Sequence, residues 1–411
     1  IVPPVDLSSL ANPDLVGRST AVQPPGPAAI ARNAAGAILP SRGGLLTEPG
    51  TVAGIGQVSE LPGSVAPAKP VEAFLAASVE TYRTLRDPRH TYFRVEVRRM
   101  GPEILPVIPR DIVFVQDCSA SMSEDRLHFC KEGMKRAVTM VGPGDRFNVV
   151  GFKETAELCF PDWVQPNDAN RTRAEAFVEG LKSGGNTDIY TSIKELLRLA
   201  RNPGRPIVVI LVTDGRSTTG MINSSAIIGE FTKQNKEQLS VFGIGTIQTA
   251  NAYLLDLLSF CNRGDSAVVT SGRWDIPAVL AKVVQETGRP VLSEVKFQFA
   301  GELRDEVFPV LTTHLYLDRP LVLYGRCRSG TDRLVFRATG RSGDTTCDMV
   351  FDLDLAKATK AEEKDIRKRW AEQKIYSLIG ENARDPNPAL IEEVRRTARS
   401  YGVDVPYGGQ F

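Results

Sequence analysis

Asp111-Ile-Val-Phe-Val-Gln-Asp117-Cys-Ser119-Ala-Ser121-Met122 reads as a buried strand that stops abruptly on a carboxylate, followed by two hydroxyls at alternate positions. An apolar, β-branched run bounded by polar residues has the pattern of a strand covered on both faces. In open α/β sheets, ligands bind outside the carboxyl ends of such strands. Asp117, Ser119 and Ser121 present only oxygen, the donor that hard dications such as Mg²⁺ take. Two later stretches add the same chemistry. Gly184-Gly185-Asn186-Thr187 puts a hydroxyl in a glycine-rich loop, and the apolar run 206–213 stops on Asp214-Gly215.

Strand and helix alternate outward from this stretch. Strands are predicted at 112–116, 147–152, 156–160, 207–213, 239–244 and 266–270, with helices at 124–141, 174–181, 189–200, 224–234, 253–261 and 276–286. That alternation predicts a doubly wound, mostly parallel sheet over residues 110–288. After Gly288 short strands follow one another through residue 355, the pattern of a small antiparallel β-sandwich. Residues 70–109 are expected to hold a helix over 70–86 and a strand over 91–98 that joins the sandwich, making the α/β domain an insertion in it. Residues 356–411 are expected to form two helices and a tail. Residues 1–69 are rich in Pro, Gly and Ala and lack Phe, Trp and Tyr. They read as an extended arm or linker, with aliphatic pairs able to dock on a neighbour.

The 411 residues carry a net charge of +1, so no bulk electrostatic attraction to nucleic acid or an acidic membrane surface is expected. No apolar run reaches the roughly 18 residues of a membrane span. The chain begins at Ile1 rather than Met, so a signal or anchor segment is allowed for upstream. The six cysteines form no C-x-x-C pair, against a zinc knuckle. Cys327 and Cys347 flank a predicted hairpin and are the candidate disulfide. The three histidines are scattered and none accompanies a nucleophile motif, so a catalytic triad is not expected.

Asp-x-Ser-x-Ser at 117–121, Thr187 in its glycine loop and Asp214 after a later strand resemble the metal-ion-dependent adhesion site of the von Willebrand factor A family. Pro290-Val291-Leu292, the stretch 321–326, Arg369-Trp370-Ala371, and Tyr401-Gly402-Val403 with Pro406-Tyr407 resemble inter-alpha-trypsin-inhibitor heavy chains and their bacterial relatives over about residues 90–407. Two departures stand out: the proline-rich arm occupies the place of that family's N-terminal domain, and Pro406-Tyr407 is followed by Gly-Gly rather than Thr-Ser. The heavy chains' covalent coupling to glycosaminoglycan depends on a segment that these residues do not include, and it is not expected of them.

The resemblance implies a non-enzymatic adhesion module located outside the cytoplasm. Asp117, Ser119, Ser121, Thr187 and Asp214 would hold Mg²⁺, Ca²⁺ or Mn²⁺, leaving one position for an Asp or Glu of a protein partner. Asp188 is a modulator candidate, since an inward turn would add a third charge. Two alternatives stay open. One is a structural subunit that self-assembles through the N-terminal arm. The other, more remote, is a Mg²⁺-dependent phosphohydrolase with an aspartate nucleophile; Ser119 stands where such sites carry a second Asp, and the loop 184–189 has no Lys.

Overall fold

The computed structural model describes residues 37–40, 75–100, 105–202, 204–299, 301–361 and 365–409. Most of the predicted arm and the first turn of the predicted 70–86 helix therefore lie outside the described residues. The chain runs through β1 (Ala37–Pro40), β2 (Leu75–Thr84) and β3 (Asp87–Arg99) before entering the α/β domain.

That domain is built from β4 (Asp111–Asp117), α1 (Glu124–Thr139), β5 (Arg146–Phe152), β6 (Ala156–Leu158), α2 (Asp168–Gly180), α3 (Ile189–Glu195), β7 (Ile207–Thr213), α4 (Ser224–Asn235), β8 (Leu239–Gly245), α5 (Ala252–Cys261), β9 (Ser266–Val268) and α6 (Ile276–Glu286). Its sheet has the order β6-β5-β4-β7-β8-β9. All pairs are parallel except the antiparallel edge β5–β6. β4, β7 and β8 are buried along their whole length, as strands covered on both faces must be. Val113, Val115, Val209 and Leu211 face one helical layer, while Ile112, Phe114, Val208 and Ile210 face the other.

The remaining elements are β10 (Pro290–Phe299), β11 (Val307–Phe308), β12 (Leu315–Tyr316), β13 (Leu321–Arg328), β14 (Arg333–Ser342), β15 (Thr345–Asp354), β16 (Thr359–Lys360), α7 (Asp365–Arg384) and α8 (Pro388–Tyr401). Two five-stranded sheets, β1-β15-β14-β10-β12 and β11-β13-β3-β2-β16, enclose an apolar core. The α/β domain leaves from β3 in one sheet and returns through β10 in the other, so it is an insertion in the sandwich.

The root of the insertion is fastened at the sheet edge opposite the carboxyl ends. Ile108 N–H donates to Pro290 O at 2.8 Å, joining the way in to the way out. The buried Arg110 reaches Asp145 through its backbone N–H (3.0 Å) and Nε (3.3 Å), and Thr287 Oγ1 through Nη1 (2.8 Å). Asp111 accepts from Arg146 at 2.8 and 2.6 Å and from Arg205 at 2.9 Å. α7 then spans both bodies. Ile366 and Trp370 pack with Tyr92 of the sandwich, while Ile375, Tyr376 and Ile379 join the α/β core.

Two expectations are corrected. Residues 75–84 are a strand, not a helix. Leu75, Val79 and Thr81 are buried at even spacing and pair with Arg99, Val95 and Phe93 of β3. A four-residue apolar spacing fits both a helix and every second position of a strand, and the β-branched content with an adjacent partner strand decides for the strand. Cys327 and Cys347 are not bonded; all six cysteines are free thiols. Cys327 lies on β13 and Cys347 on β15, in opposing sheets, and burial pushes both thiols above their ordinary value.

Candidate functional site

The five predicted oxygen donors come from three loops at the carboxyl end of the sheet. Asp117 is the last residue of β4, at the middle of the sheet beside β7. Its Oδ1 accepts from Ser119 N–H at 2.8 Å and its Oδ2 from the Thr213 hydroxyl at 2.6 Å. A tight turn, Ala120–Met122, leads into α1 and leaves the Ser119 and Ser121 hydroxyls 3.0 Å apart. Ser119 is buried and Ser121 exposed, so the pair runs from the interior to the surface.

The glycine loop is laced to this turn. Gly184 N–H donates to Cys118 O at 3.0 Å, and Ala120 N–H donates to Gly185 O at 3.1 Å. Gly184 and Gly185 sit at φ of 144° and 77°, a region that side chains disfavour, which explains glycines at these positions. Thr187 is buried and held on both sides. Its N–H donates to Thr218 Oγ1 at 2.9 Å, and its carbonyl accepts from the N–H groups of Thr218 (2.8 Å) and Thr219 (3.1 Å). The third loop follows β7. Buried Asp214 accepts from Arg216 N–H at 3.2 Å, and its backbone carbonyl accepts from Asn251 N–H at 2.9 Å.

Electrostatically the site is poised for positive charge. Burial raises the Asp117 carboxyl above its ordinary value, and the Asp214 charge raises it further. The Thr213 and Ser119 hydrogen bonds pull the other way. Two neighbouring carboxylates accompanied by hydroxyls form an all-oxygen donor set of the kind a hard dication takes. These residues fit such an ion.

Asp188 has partners of its own at the head of α3. It caps α3, its Oδ1 accepting from Thr191 N–H at 2.9 Å and its Oδ2 from the Thr191 hydroxyl at 2.7 Å. Its carboxylate also lies against Gly220, where an added Cβ would stand 2.0 Å from Oδ2. Two residues escaped the sequence reading. Thr213 is a hydroxyl at the end of an otherwise apolar run, a signal available in the sequence. Arg126, on the first turn of α1, reaches back so that Nη1 donates to Ser121 O at 2.7 Å and lies 3.8 Å from Asp214 Oδ2. Lys153 lies along Gly184 and Gly185 from the loop after β5.

The family model of the von Willebrand factor type A domain matches residues 110–267. Residues 110–267 are a von Willebrand factor type A domain. Relatives extend the likeness beyond it. Inter-alpha-trypsin inhibitor heavy chain H2 of Mesocricetus auratus is 23% identical over 324 residues, covering 75% of this chain and 34% of its own length. Heavy chain H4 of Homo sapiens is 26% identical over 254 residues, covering 60% of this chain and 27% of its own. The chain thus spans about a third, or less, of the curated relatives it matches. Among solved structures, a von Willebrand factor type A protein from Catenulispora acidiphila covers 80% of this chain and 87% of its own. It has a TM-score of 0.56 and 14% identity, a likeness of fold that extends past the A domain into the sandwich. Von Willebrand factor A domains commonly mediate protein–protein interaction. Among the described residues, no helix is long and apolar enough to cross a membrane.

Proposed function

We propose that the chain is a non-enzymatic, divalent-cation-dependent binding module. Asp117, Ser119, Ser121, Thr187 and Asp214 hold Mg²⁺, Ca²⁺ or Mn²⁺, directly or through water, and the remaining position takes an Asp or Glu of a protein partner. The observation that carries this reading is the lacing of the three donor loops by backbone hydrogen bonds at one end of the sheet. Pre-organised oxygens need little reordering when an ion arrives. Two carboxylates neutralise a dication without reversing its charge, so an outside carboxylate is still attracted. Asp188 is engaged with Thr191 and is not counted among the donors. Location outside the cytoplasm rests on the resemblance to the heavy chains alone.

The test is a thermal melt in EDTA and in millimolar Mg²⁺, Ca²⁺ or Mn²⁺, on wild type and Asp214→Ala. Ligand binding to the native state alone stabilises by mass action, about 2.7 kcal/mol at a hundredfold excess over Kd. A cation-dependent rise in wild type that vanishes in Asp214→Ala supports the site. A wild type that melts identically in EDTA and in every cation removes it.

One observation favours a second reading, assembly through the arm. β1 lies antiparallel along the edge of β15, from Ala37 opposite Asp352 to Pro40 opposite Met349. Strand addition to an open sheet edge is a recurring mode of association, and a neighbouring copy can supply the same segment. Mass that rises with protein concentration in light scattering, and falls when residues 37–40 are deleted, would support it. A monomer at every concentration would exclude it. The phosphohydrolase reading is weaker. Lys153 does reach the glycine loop, but Ser119 gives that chemistry no second carboxylate at its position.

A further inference from the structure

Arg126 sits where a helix disfavours a cation. It is the third residue of α1, after Glu124 and Asp125, and a helix N-terminus carries partial positive charge. Its side chain nevertheless turns back toward the donor loops instead of running to solvent. Nη1 donates to Ser121 O at 2.7 Å and stands 3.8 Å from Asp214 Oδ2. The arginine side chain is 17% exposed and that of Asp214 2%. Both contacts are to residues of the oxygen donor set. A guanidinium does not lose its proton in a protein, so a fixed positive charge lies beside one of the two carboxylates a dication would use.

We propose that Arg126 is a built-in competitor for the cation. This rests on the cation-site reading above and adds its regulation. In cation-free protein the guanidinium offsets the charge of Asp214, which shares a buried site with Asp117. An arriving dication must draw on the same carboxylate, so it either displaces the guanidinium or sits beside it against their mutual repulsion. Both lower its affinity. The arrangement sets a threshold: the site fills only where the cation is plentiful, and the cation-free domain stays folded below that level.

The experiment titrates Mn²⁺ and Mg²⁺ by calorimetry into the full chain after EDTA treatment. Wild type, Arg126→Gln, Arg126→Lys and Asp214→Ala are compared. Removing the charge in Arg126→Gln is expected to tighten cation binding roughly tenfold, about 1.4 kcal/mol. Arg126→Lys, which keeps the charge, stays near wild type. The EDTA-treated Gln variant melts below EDTA-treated wild type, because Asp214 has lost its counter-charge. Should that variant fail to fold, Arg126→Ala is read in its place. Cation binding in Arg126→Gln equal to or weaker than wild type overturns the inference, as does equal tightening in the Lys variant. If wild type binds, Asp214→Ala does not, and Arg126→Gln is unchanged, only the competition fails and the cation site stands. If no protein in the series binds either cation, both fall.

Discussion

At the scale of single residues, the candidate site depends on groups outside the proposed donor set. Thr213 shows this best. Its hydroxyl donates to Asp117 Oδ2 at 2.6 Å and accepts from Gly215 N–H at 2.9 Å, with no exposure to solvent. Valine has nearly the same shape, so Thr213→Val deletes these bonds without opening a cavity. It strands a buried N–H and deprives a buried carboxylate of a donor, and unsatisfied buried groups cost about 1–3 kcal/mol each. Urea unfolding in EDTA is expected to show a loss in that range, and an unchanged midpoint would mean that water replaces the hydroxyl. The five residues proposed as donors stand out in the sequence because carboxylates and hydroxyls at strand ends are conspicuous after apolar runs. Arg126 does not. A basic residue among Glu124, Asp125 and His128 reads as one more solvated position on a helix face, and only the turn through Ser119–Ser121 brings Asp214 within its reach. The engagement of Asp188 was equally out of view, since it comes from the N-terminus of α3, where Thr191 offers its carboxylate two donors.

At the scale of elements, propensity and packing can disagree, and packing wins. Residues 75–84 carry apolar side chains at a spacing that suits a helix, yet they form a strand, because β3 lies alongside from Arg99 to Asp87. The partner is the next strand in the chain, joined through Leu85 and Arg86, but a window that holds only residues 75–84 does not contain it, which is why the local pattern misled. The long helices and buried strands of the A domain were readable because each carries its period over many residues, as α1 does with Leu127, Cys130, Met134, Ala137 and Val138 all buried. A sharper contest is set by Gly229 in α4. Inside a helix, replacing glycine by alanine ordinarily stabilises by about 1 kcal/mol. Here an added Cβ would stand 2.6 Å from Ala383 O and 3.3 Å from Arg384 Cα of α7. Both are backbone atoms and cannot swing aside. Gly229→Ala is therefore expected to destabilise, by the 1–3 kcal/mol typical of overpacking, and to loosen α7 first. Hydrogen exchange should show faster exchange in α7 and α8 than in β4. A gain in stability would mean that α7 is free to step away from the A domain.

At the scale of the whole molecule, the sandwich is fixed to the A domain by buried polar groups, and these make the junction sensitive to acid. Arg263 donates through Nη1 to Val295 O at 2.9 Å and Thr312 O at 3.2 Å, and through Nη2 to Glu237 at 2.7 Å. Beside it His314 is buried between β8 and β10. Its Nδ1 accepts from Glu294 N–H at 3.1 Å, which leaves the ring proton on Nε2 to donate to Ser240 Oγ at 2.9 Å. Only a neutral imidazole can make both bonds. Burial, with the nearby Arg263 charge, pulls its pKa down from 6.5 to about 3. Above the unfolded value both states are neutral, and the residue adds no pH dependence. As the pH falls from about 6.5 toward 3, the unfolded chain binds a proton that the folded chain refuses, so stability falls by about 1.4 kcal/mol per unit. Between pH 6.5 and 5 this single histidine is expected to remove about 2 kcal/mol. His314→Gln lowers stability at pH 7.5, where it loses fitted hydrogen bonds, but it abolishes that share of the acid slope. Melts of the two proteins in EDTA across this range should therefore converge as the pH falls. Parallel curves would show that the junction opens to solvent before His314 titrates.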